Sequence, residues 1–248
     1  VIWDACNGAQ QIRPLAGTVH RLVESQEEIA TLGYVDTLNE QALLESMLDN
    51  SKPIYREDLT AYHYLLSTPF RYPPLKWGSR FGAVNEPSLF YGGKTINVTL
   101  AESAYYRFIF WNSMSGIPIK PQIKSEHSLF SVNYQSPHGI NLQQAPFDHY
   151  KKAISSPSQY SQSQPLGSAM RTAGVEVFEY ASAREPQQET CVGLFTAHAF
   201  KTQKPNNMST WLCETSAHEV LFKPASSSTI IRFKLDVFLA NNTLPMPA

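Results

Sequence analysis

"VEVFEYASAREPQQETCVGLFTAHAF", residues 175–200, consists of two apolar runs joined by a polar, proline-bearing turn. The β-branched and aromatic residues of "VEVFEY" and "CVGLFTAHAF" read as strands, and only turns separate them from the strands that follow. Those are "STWLCE" (209–214), "HEVLFK" (218–223) and "TIIRFKLDVF" (229–238). Toward the N-terminus the pattern changes. "TLNEQALLESMLDN" (37–50) sets Thr37 and Glu40 in capping-box spacing before apolar Leu44, Met47 and Leu48, which predicts a helix over 39–49. "EDLTAYHYLLS" (57–67) has helical spacing in Leu59, Tyr62 and Leu66, and the prolines of "TPFRYPP" (68–74) are expected to end it in an extended loop. Helices early and strands late predict an α+β fold rather than an alternating α/β one. At 248 residues, one domain spanning 1–248 with a helical insertion at about 37–70 is the expected organisation.

The remaining elements fit between these. "TVHRLVESQ" (18–26) reads as a strand carrying His20 and Arg21, with a helix expected after it, and "SLFYGG" (88–93) is a short strand ending at glycines. "TLAESAYYRFIFWNSM" (99–114) predicts a long, largely buried helix whose Tyr105, Tyr106, Phe108, Phe110 and Trp111 are read as packing. "SLFSVNY" (128–134) is a further strand, "SSPSQYSQSQP" (155–165) a serine- and glutamine-rich surface loop, and a short helix ends near Gly174.

Composition excludes several classes. Twenty Lys+Arg against 21 Asp+Glu give a net charge of −1, without the polybasic face that phosphate backbones require, so no direct nucleic-acid partner is expected. Cys6, Cys191 and Cys213 are odd in number and lack ligand spacing, which argues against a disulfide framework and a zinc site. No run approaches the roughly 18 apolar residues of a membrane span, and "VIWDACNGAQQIRP" is no export signal, so a cytoplasmic protein is expected. "GGKT" (92–95) has Ser88 where a phosphate loop needs glycine, and "HEVLF" has Phe222 where a zinc-protease helix needs its second histidine.

One set of side chains survives, and its chemistry suits the bond between nicotinamide and ribose in NAD. The leaving group is a cationic pyridinium that departs neutral, so the protein must chiefly hold the dinucleotide and stabilise an oxocarbenium-like ribose. Arg21 or Arg80 can clamp a diphosphate, Tyr91 can stack on nicotinamide, and Glu102 can hold a ribose hydroxyl and stabilise the cation. Thr99 and Glu102 stand in T-x-x-E spacing, so the glutamate is also expected to lie in a first helical turn as a cap. Ser161, three residues before Gln164, is open to the same capping reading.

Together "VHRLVESQ", "PFRYPPLKWGSRFG", "SLFYGG" with "AES", "SQSQPLG" and "EYASAR" resemble the RES-domain family, in its longer variety, over about residues 18 to 200. The resemblance implies mixed and antiparallel sheets around an NAD cleft, similar to ADP-ribosyltransferase toxins. It implies a toxin of a toxin–antitoxin pair that consumes NAD as substrate by hydrolysis or phosphorolysis, or that ADP-ribosylates a protein, with no metal. It further implies an Xre-type helix-turn-helix antitoxin as partner, within a complex that admits a homodimer. An effector with an immunity protein, and a non-catalytic NAD- or protein-binding module, stand as alternatives. The family's arginines fall on Arg21 and Arg80, its tyrosine on Tyr91 and its glutamate on Glu102. Its serine falls either on Ser161 or on Ser182, the latter between Tyr180 and Arg184 in "YASAR".

Overall fold

The structure is a computed structural model, which describes residues 1–25, 35–54, 56–116, 118 and 120–247. Among the described residues eight strands form one mixed sheet: β1 Arg13–Glu24, β2 Phe90–Gly93, β3 Gln122–Asn141, β4 Val177–Ala181, β5 Thr190–Leu194, β6 Asn207–Ser216, β7 Glu219–Pro224 and β8 Ile231–Lys234. The helices are α1 Ile2–Ala5, α2 Leu38–Ser51, α3 Tyr64–Arg71, α4 Ile96–Asn112, α5 Lys151–Ile154 and α6 Ser163–Thr172. The fold is therefore α+β, with the longer early helices ahead of a strand-rich second half.

The strand order is β1-β2-β5-β4-β3-β6-β7-β8, and β1 also pairs with β3. That extra pairing closes β1, β2, β5, β4 and β3 into a ring, with β6, β7 and β8 extending from β3 as a flap. The length of β3 makes this possible. Its first half pairs with β6 (Gln122 opposite Ser216 through Ser131 opposite Asn207), while residues 139–141 pair in parallel with β4. On its other edge β3 runs antiparallel to β1 from His127 opposite Glu24 to Gly139 opposite Arg13. Every other pairing in the sheet is antiparallel. Ring closure removes the edge that β1 would otherwise expose.

One core cluster draws a residue from each strand of the ring, including Val19, Phe90, Phe130, Val177 and Val192, and α3 covers it with Leu65, Leu66 and Phe70. A second packs α4, through Leu100, Tyr105 and Phe108, under Trp211 and Phe222 of the flap. A third lies beneath α1 and α6 around Phe81, Leu166 and Phe178.

Several expectations need correction. The strand expected over 18–26 begins at Arg13 and ends at Glu24, because β3 offers partners along that whole length; Gln26 and the segment just beyond it lie outside the described residues. The helix of 57–67 is broken: a 3-10 turn covers Glu57–Leu59, and α3 starts afresh at Tyr64, capped by the His63 ring. It then runs through Pro69 to Arg71 rather than stopping at it. A proline within a helix costs about 3 kcal/mol, while burying Leu65, Leu66 and Phe70 contributes roughly 1.5–3 kcal/mol each, so burial prevails.

Residues 155–165 are not a surface loop throughout, since Ser155, Tyr160 and Ser163 are buried. The aromatic face of α4 divides: Tyr105 and Phe108 are buried, whereas Tyr106 and Phe110 are exposed. On α2, capped as expected by Thr37, the apolar Leu43 and Met47 are exposed.

Candidate active site

Helix α4 begins at Ile96, where the Thr95 hydroxyl accepts the Val98 N–H. Glu102 therefore stands in the second turn, and the expectation of a first-turn glutamate paired with Thr99 is wrong. Thr99 instead donates its hydroxyl to the backbone oxygens of Thr95 and His20, tying α4 to β1. The "GKT" triplet, which fails as a phosphate loop, provides the cap.

Glu102 is half-buried, and two groups converge on its Oε1. The Ser182 hydroxyl donates at 2.5 Å, and the Cys191 thiol lies at 3.7 Å. Burial first, and then the negative charge of Glu102, push the Cys191 thiol well above its ordinary range, so it stays protonated and able to donate. Ser182 is wholly buried in the turn after β4, where its Oγ also accepts the N–H groups of Arg184 and Glu185. It thus fixes the carboxylate and the turn at once. Glu102 Oε2 takes no hydrogen bond from the described residues.

Glu102 opens on a cavity of about 360 Å³, and Arg21, Arg80 and Tyr91 line it too. Arg21, on β1, donates Nη1 to the Tyr91 carbonyl at 2.9 Å and lies over the Phe90 ring. Burial lowers its pKa to about 10, which leaves it charged at neutral pH. Arg80 is buried in the tight 79–82 turn and donates Nη1 to the carbonyls of Ile154 and Ser156 at 3.2 and 2.7 Å. Its guanidinium also faces the ring of Tyr160, one of the buried residues of the serine-rich segment.

The Tyr91 hydroxyl sits 2.9 Å from the Ser79 hydroxyl and accepts the Phe81 N–H at 3.0 Å, so it anchors the arginine loop. Burial pushes its pKa up to about 12, which rules it out as a base at neutral pH. Tyr180 meets it edge-on at 6.4 Å.

The two serine candidates separate. Ser161 is exposed and outside the cavity lining. Nor does it cap α6, whose N-cap is Gln162 without a side-chain bond. The "SQSQPLG" tract acts through other residues: Gln164 donates to the carbonyls of Trp77 and Ser79, and Gly167 lets α6 approach the arginine loop. A Cβ at Gly167 would lie 2.1 Å from the Phe81 carbonyl oxygen.

Sequence reasoning missed Cys191, Ser79, Tyr160 and Tyr106 as parts of this neighbourhood. No local signal marked Cys191, because register alone brings it beside β2, opposite Gly93. Among the described residues no group of three His, Cys, Asp or Glu could hold a metal ion, and no helix is long and apolar enough to cross a membrane.

A family model, the RES domain, matches residues 53–219, about two thirds of the chain. The chain belongs to the RES-domain family. This membership links it to NAD and to an NAD-related toxin family. A search of curated proteins finds no match. The RES match takes in Arg80, Tyr91, Glu102 and Ser182 and begins beyond Arg21, which β1 brings to the same cavity.

Proposed function

We propose that this RES domain cleaves the nicotinamide–ribose bond of NAD, passing the ADP-ribosyl group to water or phosphate, and acts as a toxin. One observation carries the reading: an anchored carboxylate, Glu102, shares its cavity with three arginines, Arg21, Arg80 and Arg184. A pocket with that charge balance favours an anionic ligand, and its carboxylate opposes cationic charge developing on the sugar.

In the proposed step the C1–N pair of electrons leaves with nicotinamide, which departs neutral. Glu102 Oε2 holds a ribose hydroxyl and stabilises the oxocarbenium. Ser182 and Cys191 act as positioning residues by fixing Oε1. Arg21 holds the diphosphate end, Arg80 closes the loop over the substrate, and the Tyr91 ring flanks the nicotinamide. An acceptor oxygen then closes on C1 and loses its proton to solvent.

Following free nicotinamide after mixing the protein with NAD tests the reading. No release with water, phosphate or cell lysate as acceptor would sink it. Glu102→Gln, which keeps the shape and leaves an acceptor for Ser182, is expected to lower kcat by about 100-fold or more with the melting temperature little changed.

Transfer to a protein is the second reading; it shares the cleavage step, so labelled NAD separates the two by whether label appears on a protein band. The Xre-type antitoxin belongs to the same proposal. Its co-expression should relieve growth arrest caused by the chain and recover the two proteins together.

A further inference from the structure

Arg184 lies two residues beyond Ser182 and is 5% exposed. Its guanidinium is stacked on Tyr105, with Cζ 3.4 Å from the ring centroid. Both terminal nitrogens, Nη1 and Nη2, are buried and have no hydrogen-bond partner among the described residues. The residue nevertheless lines the same cavity as Glu102. The other two cavity arginines differ, since each donates Nη1 to backbone carbonyls.

A buried guanidinium without an acceptor is unfavourable, and an aromatic face replaces only part of the lost hydration. Such a cation beside a cleft suits an incoming anion, because its desolvation is already complete in the fold. The planar fork matches two oxygens of a phosphoryl group. Its backbone N–H is held by the same Ser182 hydroxyl that fixes Glu102, so the fork and the carboxylate share one support.

We propose that Arg184, turning its fork into the cavity, is the residue that receives a phosphoryl group next to Glu102. The assignment rests on the NAD-cleavage reading for the nature of the anion. The phosphoryl oxygens have two sources: the diphosphate of the dinucleotide, or inorganic phosphate serving as acceptor. In the second case a phosphate oxygen forms the new bond to C1 as the C1–N pair leaves with nicotinamide.

The test uses the full chain with Arg184→Gln and Arg184→Lys, titrating NAD in phosphate-free buffer and inorganic phosphate separately by calorimetry, beside nicotinamide release. Arg184→Gln should weaken one of these ligands by about tenfold or more, and Arg184→Lys, which keeps the charge without the fork, by less. Weaker NAD binding assigns the diphosphate; weaker phosphate binding with a lost phosphate-dependent rate assigns the acceptor.

Affinities within twofold of the parent for both ligands, in a folded variant, overturn the assignment, as does a parent that binds neither. If Arg184→Gln does not fold, Arg184→Lys decides by the same twofold criterion. Nicotinamide release together with unaltered affinities removes Arg184 alone. Arg184-dependent phosphate binding without nicotinamide release removes the NAD reading alone.

Discussion

At the scale of single residues, the site depends on which hydrogen bonds are already in use. Arg80 and Tyr91 look from the sequence like free ligand-binding groups, yet both help build the loop that carries them: Arg80 Nη1 bonds two carbonyls, and the Tyr91 hydroxyl bonds Ser79 and Phe81. The Ser182 hydroxyl bonds Glu102 and the N–H groups of Arg184 and Glu185. Ser182→Ala leaves two buried N–H groups unpaired and frees the carboxylate. A loss of about 1–3 kcal/mol is expected by chemical denaturation, with kcat falling by more than the loss of folded protein explains. Full activity in that variant would remove Ser182 as a positioning residue. The Glu102 position was legible from motif order, whereas its partner Cys191 was not, since 89 residues separate them in the chain.

At the scale of elements, close approach between strands and helix places those residues. A Cβ on Gly92 would lie 2.4 Å from the His20 carbonyl oxygen and 2.5 Å from Val19 Cγ2, so glycine permits the β1–β2 contact. The glycines after Tyr91 therefore serve packing, and Gly92→Ala should lower the melting temperature and shift β1 away from Tyr91. A loss of about 1–3 kcal/mol is the expected size for such overpacking, and an unchanged melting temperature would count against the contact.

Strand β3 also carries a titrating group. His127 is buried, edge-on to Phe222, with its Nε2 2.9 Å from the Ser125 hydroxyl. Burial is the main cause that lowers its pKa to about 4, followed by the charge of Arg107. Between about 6.5 and about 4 the unfolded chain binds this proton and the folded chain does not, so stability rises with pH across that window. Acidification should cost up to about 3 kcal/mol, lost as pH falls from 6.5 and levelling off below 4. Denaturation of the parent and His127→Gln at stepped pH checks this; equal slopes in the two would refute it.

At the scale of the whole molecule, ring closure sets what is rigid. β1 pairs with β3 along its whole length, and the two strands bury Val19, Val132 and Tyr134, so their central amides should exchange slowest with solvent. β8, which among the described residues is paired on one side only, and α2, with Leu43 and Met47 exposed, should exchange faster by at least an order of magnitude. Hydrogen exchange followed by mass spectrometry measures the ranking, and uniform rates across these elements would contradict it.

The sequence by itself determined the α+β class, the cap at Thr37 and the presence of five strands after residue 175, two of which end sooner than expected, in 3-10 turns at Ala197–Ala199 and Leu235–Phe238; its motifs also named Arg21, Arg80, Tyr91 and Glu102, which line one cavity. The elements leave a local trace, a period of two or a capping pair. The tertiary structure alone decided the ring, the second-turn position of Glu102, the helix that continues through Pro69, and Ser182 rather than Ser161 beside the carboxylate. Those outcomes depend on pairings between residues far apart in the chain and on burial large enough to outweigh a local preference, and neither is written in any short stretch of sequence.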